Sequence, residues 1–291
     1  MIPLSAPSAF QPSLTAPACI GVFDSGVGGL SVLRALHQQL PAAPLLYVAD
    51  SAHAPYGERS DAFVIERSQH VAQHLLAEGA VGIVIACNTA TAAAAQQLRA
   101  RWPDVPIVGV EPGLKPAVAA SRSGRIGVLA TPGTLASEKF RKLLHAQPAG
   151  VSVLSRQCPG LADLIEQGDL DAPSLRAAID EHCAALKSAE VDTVVLGCTH
   201  YAFVREQIEI AMGPRVQIID TAEAVARQAV RLLAPLLGEA AAATTRLQTS
   251  GDAKRLSDIA RAWLAFPCSV EGVVPGTGIE PVRPLSGSGG F

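Results

Sequence analysis

Two copies of one strand–helix pattern in this sequence constrain its fold more than any other feature. In the first copy, the apolar run at residues 20–23 (IGVF) precedes a second run that leads into residues 86–89 (ACNT). In the second copy, residues 126–129 (IGVL) precede a run that leads into residues 197–200 (GCTH). The matching segments occur in the same order and at nearly the same separation. We therefore predict an internal duplication, with two similar lobes related by a pseudo-two-fold axis.

Short apolar runs alternate with helical stretches throughout both copies. This alternation is typical of βαβ units that build a parallel sheet. We predict an α/β fold of two pseudo-symmetric lobes, each with a mostly parallel sheet flanked by helices and with the active site in the cleft between them. Residues 1–17, rich in Pro, Ser and Ala, are expected to form a flexible arm. Residues 271–291, rich in Gly, Pro and Ser, are expected to form a disordered tail.

Composition excludes several classes of protein. Hydrophobic residues make up 49% of the 291-residue chain, enough for a sizeable core, and the net charge of −3 favours neither a nucleic-acid nor a membrane partner. No apolar run approaches the ~20 residues of a membrane span. The first 18 residues lack Lys and Arg, unlike a signal peptide. Six widely spaced cysteines without a C-x-x-C motif are typical of reduced thiols. We predict a soluble, cytoplasmic protein.

Two of the cysteines, Cys87 and Cys198, end equivalent strands of the repeat. Ligands of open α/β sheets bind at the carboxyl ends of the strands, so both thiols are expected to approach one ligand from opposite sides. A thiol beside a helix N-terminus can have its pKa lowered below about 8.5. A thiolate and a thiol on opposite faces of a carbon can remove one proton and return another, which inverts a stereocentre. The other four cysteines are expected to be packing residues: Cys19, Cys158, Cys183 and Cys268.

Five motifs give the chain a resemblance to a known family. They are VFDSGVGG (22–29), PYG (55–57), ACNTA (86–90), VEPG (110–113) and LGCTHY (196–201). In this order they resemble glutamate racemases of the cofactor-independent aspartate/glutamate racemase superfamily, over about residues 20–264. The resemblance implies an isomerase that interconverts L- and D-glutamate for peptidoglycan synthesis, without a cofactor or metal. It also implies that a second lobe (114–220) is inserted in a first lobe (18–113 plus 221–270).

The resemblance also assigns roles to individual residues. Cys87 is implied to be the base that acts on D-glutamate, and Cys198 the base that acts on L-glutamate. Asp24 would hold the substrate ammonium or help to deprotonate Cys87, His200 would exchange a proton with Cys198, and Glu166 would support His200. The implied substrate contacts are Asp24, Ser25, Tyr56, Gly57, Asn88, Thr89, Thr199 and His200. Ordinary structural roles compete with these: helix capping for Asp24 and His200, a turn for Tyr56 and Gly57, and a solvated helix charge for Glu166.

Other functions remain open at this stage. The nearest is an aspartate racemase or another isomerase of the superfamily, although Cys-Thr-His rather than Cys-Thr-Glu favours glutamate. A dinucleotide-binding protein would use the glycines at 26–29 and the acid Asp50, but Ser31 stands where glycine or alanine is expected. A solute-binding protein is disfavoured by the lack of an export signal. Cys198 and His200 lack further zinc ligands, and no lysine lies in a motif suited to pyridoxal phosphate. The sequence leaves a homodimer open.

Overall fold

The computed structural model describes residues 17–238, 244–274 and 280–281. It confirms the α/β fold, because two separate and mostly parallel sheets are each flanked by helices. No helix in these residues combines the length and apolar character needed to cross a membrane. The predicted arm at 1–17 lies outside the described residues except for residue 17.

The larger sheet has seven strands in the order β11-β10-β9-β2-β1-β3-β4. All neighbouring pairs are parallel except β10 with β11. The strands are β1 (Cys19–Asp24), β2 (Leu45–Ala49), β3 (Ala80–Ile85), β4 (Ile107–Gly109), β9 (Thr245–Thr249), β10 (Ser269–Val274) and β11 (Glu280–Pro281). The smaller sheet is fully parallel, in the order β6-β5-β7-β8. Its strands are β5 (Arg125–Ala130), β6 (Ser152–Gln157), β7 (Thr193–Gly197) and β8 (Gln217–Ile219).

Helices cover both faces of each sheet. The described residues form α1 (Leu30–Gln39), α2 (Asp61–Ala77), α3 (Asn88–Arg101), α4 (Leu114–Ala120), α5 (Pro132–Ala136), α6 (Glu138–His145), α7 (Leu161–Glu166), α8 (Pro173–Ser188), α9 (Arg205–Met212), α10 (Ala222–Leu233) and α11 (Ala253–Trp263). In the larger sheet, Ile20 and Val22 of β1 pack with α1, α10 and α11, whereas Phe23 packs with α2 and α3. This alternation follows from the period of two along a strand. In the smaller sheet, α7, α8 and α9 share a core on one face, and α4 and α6 share a core on the other.

The topology reproduces the repeat seen in the sequence. Strand order β2-β1-β3-β4 in the larger sheet has the same form as β6-β5-β7-β8 in the smaller one. The central strands β1 and β5 are equivalent, as are β3 and β7, which lead into Cys87 and Cys198. The two pseudo-symmetric lobes are therefore confirmed. The proposed second lobe, 114–220, fits the division of the strands between the sheets, whereas the end of the first lobe (18–113 plus 221–270) falls inside β10; we retain the two-lobe division as a proposal.

Strands β9 and β10 were not predicted from the sequence. In β9 (TRLQT) only Leu247 joins the hydrophobic core, so the segment lacks the apolar run that signals a buried strand. Pairing with β2, a partner distant in sequence, forms it instead. Its buried Gln248 accepts a hydrogen bond from His74 at 2.6 Å. The predicted tail boundary at 271 is wrong, because β10 continues to Val274, whereas most of the later residues lie outside the described part of the chain.

The end of α10 also differs from its prediction. A helix to about residue 237 was expected, but α10 ends at Leu233 and a 3₁₀ turn, Ala234–Leu236, follows. Pro235 explains the difference, since its ring fixes φ and its nitrogen cannot donate the next helical hydrogen bond. The sequence signal was present, and a strict use of the proline rule would have found this boundary.

The close packing at the end of β7 leads to a first prediction. A Cβ added at Gly197 would lie 2.7 Å from the Cβ of Ala130 and 2.9 Å from the carbonyl oxygen of Leu129. Both atoms belong to the neighbouring strand and cannot move independently. We expect Gly197→Ala to lower the free energy of unfolding by about 1–3 kcal/mol, measured by urea denaturation. Gly113→Ala is the control, because its Cβ would meet movable side-chain atoms at 3.2–3.3 Å. Equal stability of G197A and wild type would contradict this account.

Candidate active site

The two repeat-related cysteines lie on one cavity. Cys87 follows β3 and caps α3, with its Sγ accepting a hydrogen bond from the Ala90 amide at 3.4 Å. Cys198 follows β7 and precedes a 3₁₀ turn, Thr199–Val204. Both side chains are buried, at 5% and 7% exposure, and both line a small cavity of about 20 Å³. The fold therefore brings together two thiols that are 111 positions apart in the sequence.

Most of the predicted site residues line the same cavity. Every predicted substrate contact except Asp24 contributes to its wall, and three residues that the sequence did not single out join them. The lining residues are Ser25, Pro55, Tyr56, Gly57, Cys87, Asn88, Thr89, Thr131, Ala162, Cys198, Thr199 and His200. Because these residues come from both sheets, the cavity lies between the two lobes.

A chain of polar contacts leads from Cys198 to Glu166. The sulfur of Cys198 lies 3.6 Å from Nδ1 of His200, and Nε2 of His200 lies 2.6 Å from Oε1 of Glu166. Burial opposes charge on His200, but its hydrogen bonds to Cys198 and Glu166 outweigh burial and hold its pKa well above the usual value. Burial likewise opposes ionisation of Glu166, yet the contacts with His200 and the amide of Val27 leave its pKa lowered. The favoured state is an imidazolium–carboxylate pair, in which Nδ1–H can donate to the sulfur.

The surroundings of Cys87 are different. Burial and the negative charge of Asp24 raise the pKa of the Cys87 thiol well above its usual value, although the Ala90 amide and the Ser25 hydroxyl act in the opposite direction. The helix N-terminus therefore does not lower the pKa of Cys87, although a thiol in such a position can have a lowered pKa. One helical amide stabilises a thiolate less than complete burial destabilises it. In this cavity, Cys87 is a neutral thiol.

Asp24 lies behind the cavity wall. Its carboxylate is fully buried, accepts a hydrogen bond from the Gly26 amide at 3.1 Å, and accepts another from the Thr199 hydroxyl at 3.2 Å. Burial raises the pKa of Asp24, and the nearby charge of His200 only partly offsets this. Asp24 thus connects the end of β1 in one lobe to Thr199 in the other, and it reaches the cavity through that hydroxyl. Its predicted contact with the substrate ammonium stays a prediction.

Tyr56 is held by a buried carboxylate. The Tyr56 hydroxyl donates to Asp50 at 2.5 Å, Arg67 donates to both Asp50 oxygens at 3.0 Å, and the Ser250 hydroxyl donates at 2.7 Å. Burial raises the pKa of Asp50, but the bonds from Arg67 and Tyr56 outweigh it and lower the pKa. These partners occupy the Asp50 oxygens, so the acid is not available to a ribose. The structure thus disfavours the dinucleotide interpretation.

The glycine-rich loop after β1 packs directly against side chains of the other lobe. A Cβ at Gly28 would lie 2.5 Å from Nδ1 of His200 and 2.6 Å from Oγ1 of Thr199, and a Cβ at Gly26 would overlap the carboxylate of Glu166. Glycine is therefore needed where the loop meets the other lobe. The close approach leaves no room for a pyrophosphate at this loop, which is a second argument against a dinucleotide.

Thr131 is a cavity residue that the sequence reasoning missed. Its hydroxyl caps α5 by accepting from the Thr134 amide at 3.2 Å, and it lies 3.1 Å from the Thr89 hydroxyl of the other lobe. The repeat alignment matches Thr131 with Ser25, so that signal could have identified it. Within the described part of the chain, Nδ2 of Asn88 is buried without a hydrogen-bond partner. The cavity therefore presents hydroxyl groups and a free amide donor, which suit a carboxylate.

The electrostatics of Cys87 give a second prediction. Asp24→Asn removes the negative charge that helps to raise the pKa of the Cys87 thiol. We expect the pH midpoint for alkylation of Cys87, followed by mass spectrometry with a small haloacetamide, to move to lower pH. It should stay above that of a free thiol, because burial is the larger cause. Asp163→Asn is the control, since Asp163 lies near Glu166 and His200 instead. An unchanged midpoint in D24N would refute the proposed influence of Asp24.

Comparisons with known proteins agree with this site. The family model described as Asp/Glu/Hydantoin racemase matches residues 20–229. A glutamate racemase of Ectopseudomonas mendocina is 51% identical over 83% of this chain and 93% of its own length. A glutamate racemase of Pseudomonas aeruginosa PAO1 is 51% identical over 80% of this chain and 89% of its own length.

Solved structures give the same result. Glutamate racemase RacE1 of Bacillus anthracis matches with a TM-score of 0.80 and 31% identity, over 90% of this chain and 99% of its own. The Escherichia coli glutamate racemase, in complex with L-glutamate and the activator UDP-MurNAc-ala, matches with a TM-score of 0.79 and 27% identity, over 92% and 100%. With both lobes and both cysteine motifs covered by these matches, the chain belongs to the Asp/Glu/Hydantoin racemase family.

Proposed function

We propose that this protein is a cofactor-independent glutamate racemase, which interconverts L- and D-glutamate by proton transfer between two thiols and the α-carbon. The observation that carries the proposal is the pair Cys87 and Cys198, which come from opposite lobes and line one cavity. We infer that the substrate is glutamate from the similarity to glutamate racemases, which are about 50% identical to this chain. A racemase needs one acid and one base on opposite faces of the substrate, and equivalent positions of a pseudo-symmetric pair of lobes meet that need.

In the L-to-D direction, the thiolate of Cys198 removes the α-proton of L-glutamate. The bonding electrons remain on the α-carbon, beside the carboxylate, and the thiol of Cys87 delivers its proton to the opposite face. D-glutamate leaves, with Cys198 now a thiol and Cys87 a thiolate. The D-to-L direction is the exact reverse, so the same two groups exchange roles and no proton is gained or lost overall.

Proton transfer at Cys198 and proton transfer at Cys87 are assisted by different groups of the protein. Nδ1–H of a protonated His200 can stabilise negative charge on the sulfur of Cys198, and Glu166 keeps that imidazole charged and oriented. The raised pKa of Cys87 keeps it protonated, which suits its role as the acid that completes D-glutamate. When Cys87 must act as the base, the ammonium group of the bound substrate brings positive charge into the cavity and offsets Asp24.

The cavity wall offers partners for the substrate carboxylates. The free Nδ2 of Asn88 and the hydroxyl groups of Ser25, Thr89 and Thr131 are donors, and the N-terminus of α3 adds a positive dipole. We propose that these groups bind the two carboxylates and fix the α-carbon between the thiols. Thr199, whose hydroxyl bonds to Asp24, would guide the ammonium group. Gly57 and Tyr56 would close the cavity beside Thr131.

The cellular role follows from the product. D-glutamate is a component of peptidoglycan, and we propose that this protein supplies it to cell-wall synthesis in the cytoplasm. A homodimer, which the sequence leaves open, is retained as part of the proposal.

Removal of either thiol tests the mechanism. We expect Cys87→Ala and Cys198→Ala each to lower the rate of racemisation by about 10²–10⁴-fold, because each loses one acid–base group. Circular dichroism at a wavelength that distinguishes the enantiomers measures the rate. Cys183→Ala is the matched control, since Cys183 is equally buried but lies on α8, outside the cavity. Near-native turnover by C87A or C198A would show that the two-thiol assignment is wrong.

Substrate and cofactor independence form a separate prediction. We expect the purified protein to racemise both enantiomers of glutamate, to act much more slowly on aspartate, and to keep its activity in the presence of a chelator and without added pyridoxal phosphate. Chiral chromatography of the amino acids measures the racemisation of glutamate and of aspartate, with and without the chelator and without pyridoxal phosphate. The control is a parallel incubation with C198A, which reports any contaminating racemase. Activity on aspartate alone would reject glutamate as the substrate, and loss on chelation would reject the two-thiol mechanism.

A further inference from the structure

The carboxylate that supports His200 also lines a second cavity. This cavity, of about 230 Å³, lies between α7 and α11. Its lining residues are Val27, Ser51, Ala54, Asp163, Glu166, Gly251, Asp252, Arg255 and Leu256. Glu166 therefore has two sets of neighbours, with His200 toward the thiols and α11 on the other side. The contacts on the α11 side are not part of the family motifs described above.

Arg255 makes the direct contact between α11 and α7. Its Nη2 donates a hydrogen bond to the backbone carbonyl oxygen of Glu166, the last residue of α7. The final carbonyl groups of a helix lack intrahelical partners, and an arginine side chain is well suited to satisfy them. The backbone of Arg255 is itself fixed, because Asp252 caps α11 and accepts from the Arg255 amide at 3.2 Å.

The charge of Arg255 acts on the same residue. Other acidic groups surround the Glu166 carboxylate, and each opposes its ionisation: Asp24 at the end of β1 and Asp163 on α7. His200 and Arg255 act in the other direction and lower the pKa of Glu166 against the effect of burial. Arg255 thus supports Glu166 in two ways, by holding its backbone and by favouring its carboxylate.

We infer that Arg255 is a positioning residue for the Cys198 half of the reaction, which fixes Glu166 so that His200 stays aligned on the sulfur of Cys198. The inference rests on the proposed racemase function. Arg255 does not line the cavity of the thiols, so we assign it no direct role in the reaction. Its effect passes from the end of α7 through Glu166 and His200, whereas in the described residues the hydrogen-bond partners of Cys87 are the Ala90 amide and the Ser25 hydroxyl.

An effect on one half of the reaction cannot be seen in the two catalytic efficiencies. L- and D-glutamate have equal free energies, so kcat/KM must be the same in both directions for every variant. Isotope effects do separate the halves. With α-deuterated L-glutamate, the deuteron moves to Cys198, and with α-deuterated D-glutamate it moves to Cys87. A variant that slows transfer at Cys198 therefore raises the isotope effect on kcat/KM for L-glutamate and lowers it for D-glutamate.

The test is Arg255→Gln. Because Arg255 is exposed to solvent, which screens its charge, we expect a fall in kcat/KM of only about twofold to fivefold. The isotope effect should rise for L-glutamate and fall for D-glutamate, and Arg255→Lys should recover part of the difference because it keeps the charge. Lys254→Gln is the matched control. It removes a positive charge from the neighbouring position of α11, where Lys254 pairs with Asp258 at 3.0 Å rather than with Glu166.

A second measurement is independent of turnover. The pKa of His200, followed by NMR with His200→Asn as the assignment standard, should fall in R255Q, because a less ionised Glu166 holds the proton of His200 less firmly. The titratable groups that face the pair are Asp24, Asp163, Tyr47 and Cys198, and they remain the same in both proteins. Arg255→Ala is the second variant should R255Q fold poorly.

The outcomes separate the two proposals. If the wild-type protein does not racemise glutamate, the proposed function fails, and the pKa of His200 still decides whether Arg255 positions Glu166. If the wild type is active, unchanged isotope effects in R255Q overturn the inference, as does a change of equal size in K254Q. An unchanged pKa of His200 overturns it in either case.

Discussion

The site depends on one carboxylate oxygen that accepts hydrogen bonds from both lobes. Oε1 of Glu166 accepts a hydrogen bond from the Val27 amide at 2.7 Å and from Nε2 of His200 at 2.6 Å. Val27 belongs to the loop after β1, whereas Glu166 and His200 belong to the other lobe. The same atom therefore holds the lobes together and keeps the imidazole beside Cys198. A carboxylate with two such donors is strongly stabilised in its charged form, which explains its low pKa despite burial. Closure of the lobes and the charge of His200 are thus coupled.

Burial of the cavity has two opposite effects on the proposed chemistry: it disfavours the thiolate of Cys87, and it favours binding and protection of the reacting groups. Burial raises the pKa of the Cys87 thiol, which stabilises its protonated form. The same burial would strengthen each hydrogen bond to the substrate and protect the carbanion from stray protons. The cavity, of about 20 Å³, is too small to hold an amino acid, so the lobes must separate to admit one. Three inter-lobe contacts beside the site are hydrogen bonds: Val27 with Glu166, Asp24 with Thr199, and Thr89 with Thr131. These polar groups can exchange with water when the lobes open, whereas the stacked rings of Phe203 and Trp263 form an apolar contact between the lobes.

The sequence predicted what local pattern and repetition encode. Apolar runs identified β1 and β5, and the repeat of ACNT in GCTH identified both thiols and the two lobes. Prediction from the sequence failed where contacts between distant segments determine the structure. Strand β9 has no apolar run, and it forms because it pairs with β2. The raised pKa of Cys87 could not be predicted either, because a helix N-terminus is visible in a sequence whereas complete burial beside Asp24 is not. Thr131 could have been found from its match with Ser25. Arg255 could not, since α11 meets α7 only in the folded chain.

The two halves of the site share a backbone plan but not their supporting groups. Both thiols follow equivalent strands, but their neighbours differ. Cys198 contacts His200, which in turn bonds to Glu166. Cys87 contacts the Ala90 amide and the Ser25 hydroxyl. An asymmetric site is compatible with a symmetric reaction, because the equal free energies of the enantiomers fix the ratio of catalytic efficiencies whatever the protein provides. Different supporting residues in the two lobes can therefore alter the proton affinity of each thiol without favouring one product. Burial beside Asp24 raises the pKa of Cys87 and keeps this thiol neutral. At the other thiol, the positive charge of His200 can stabilise the thiolate that forms on Cys198 during the reaction.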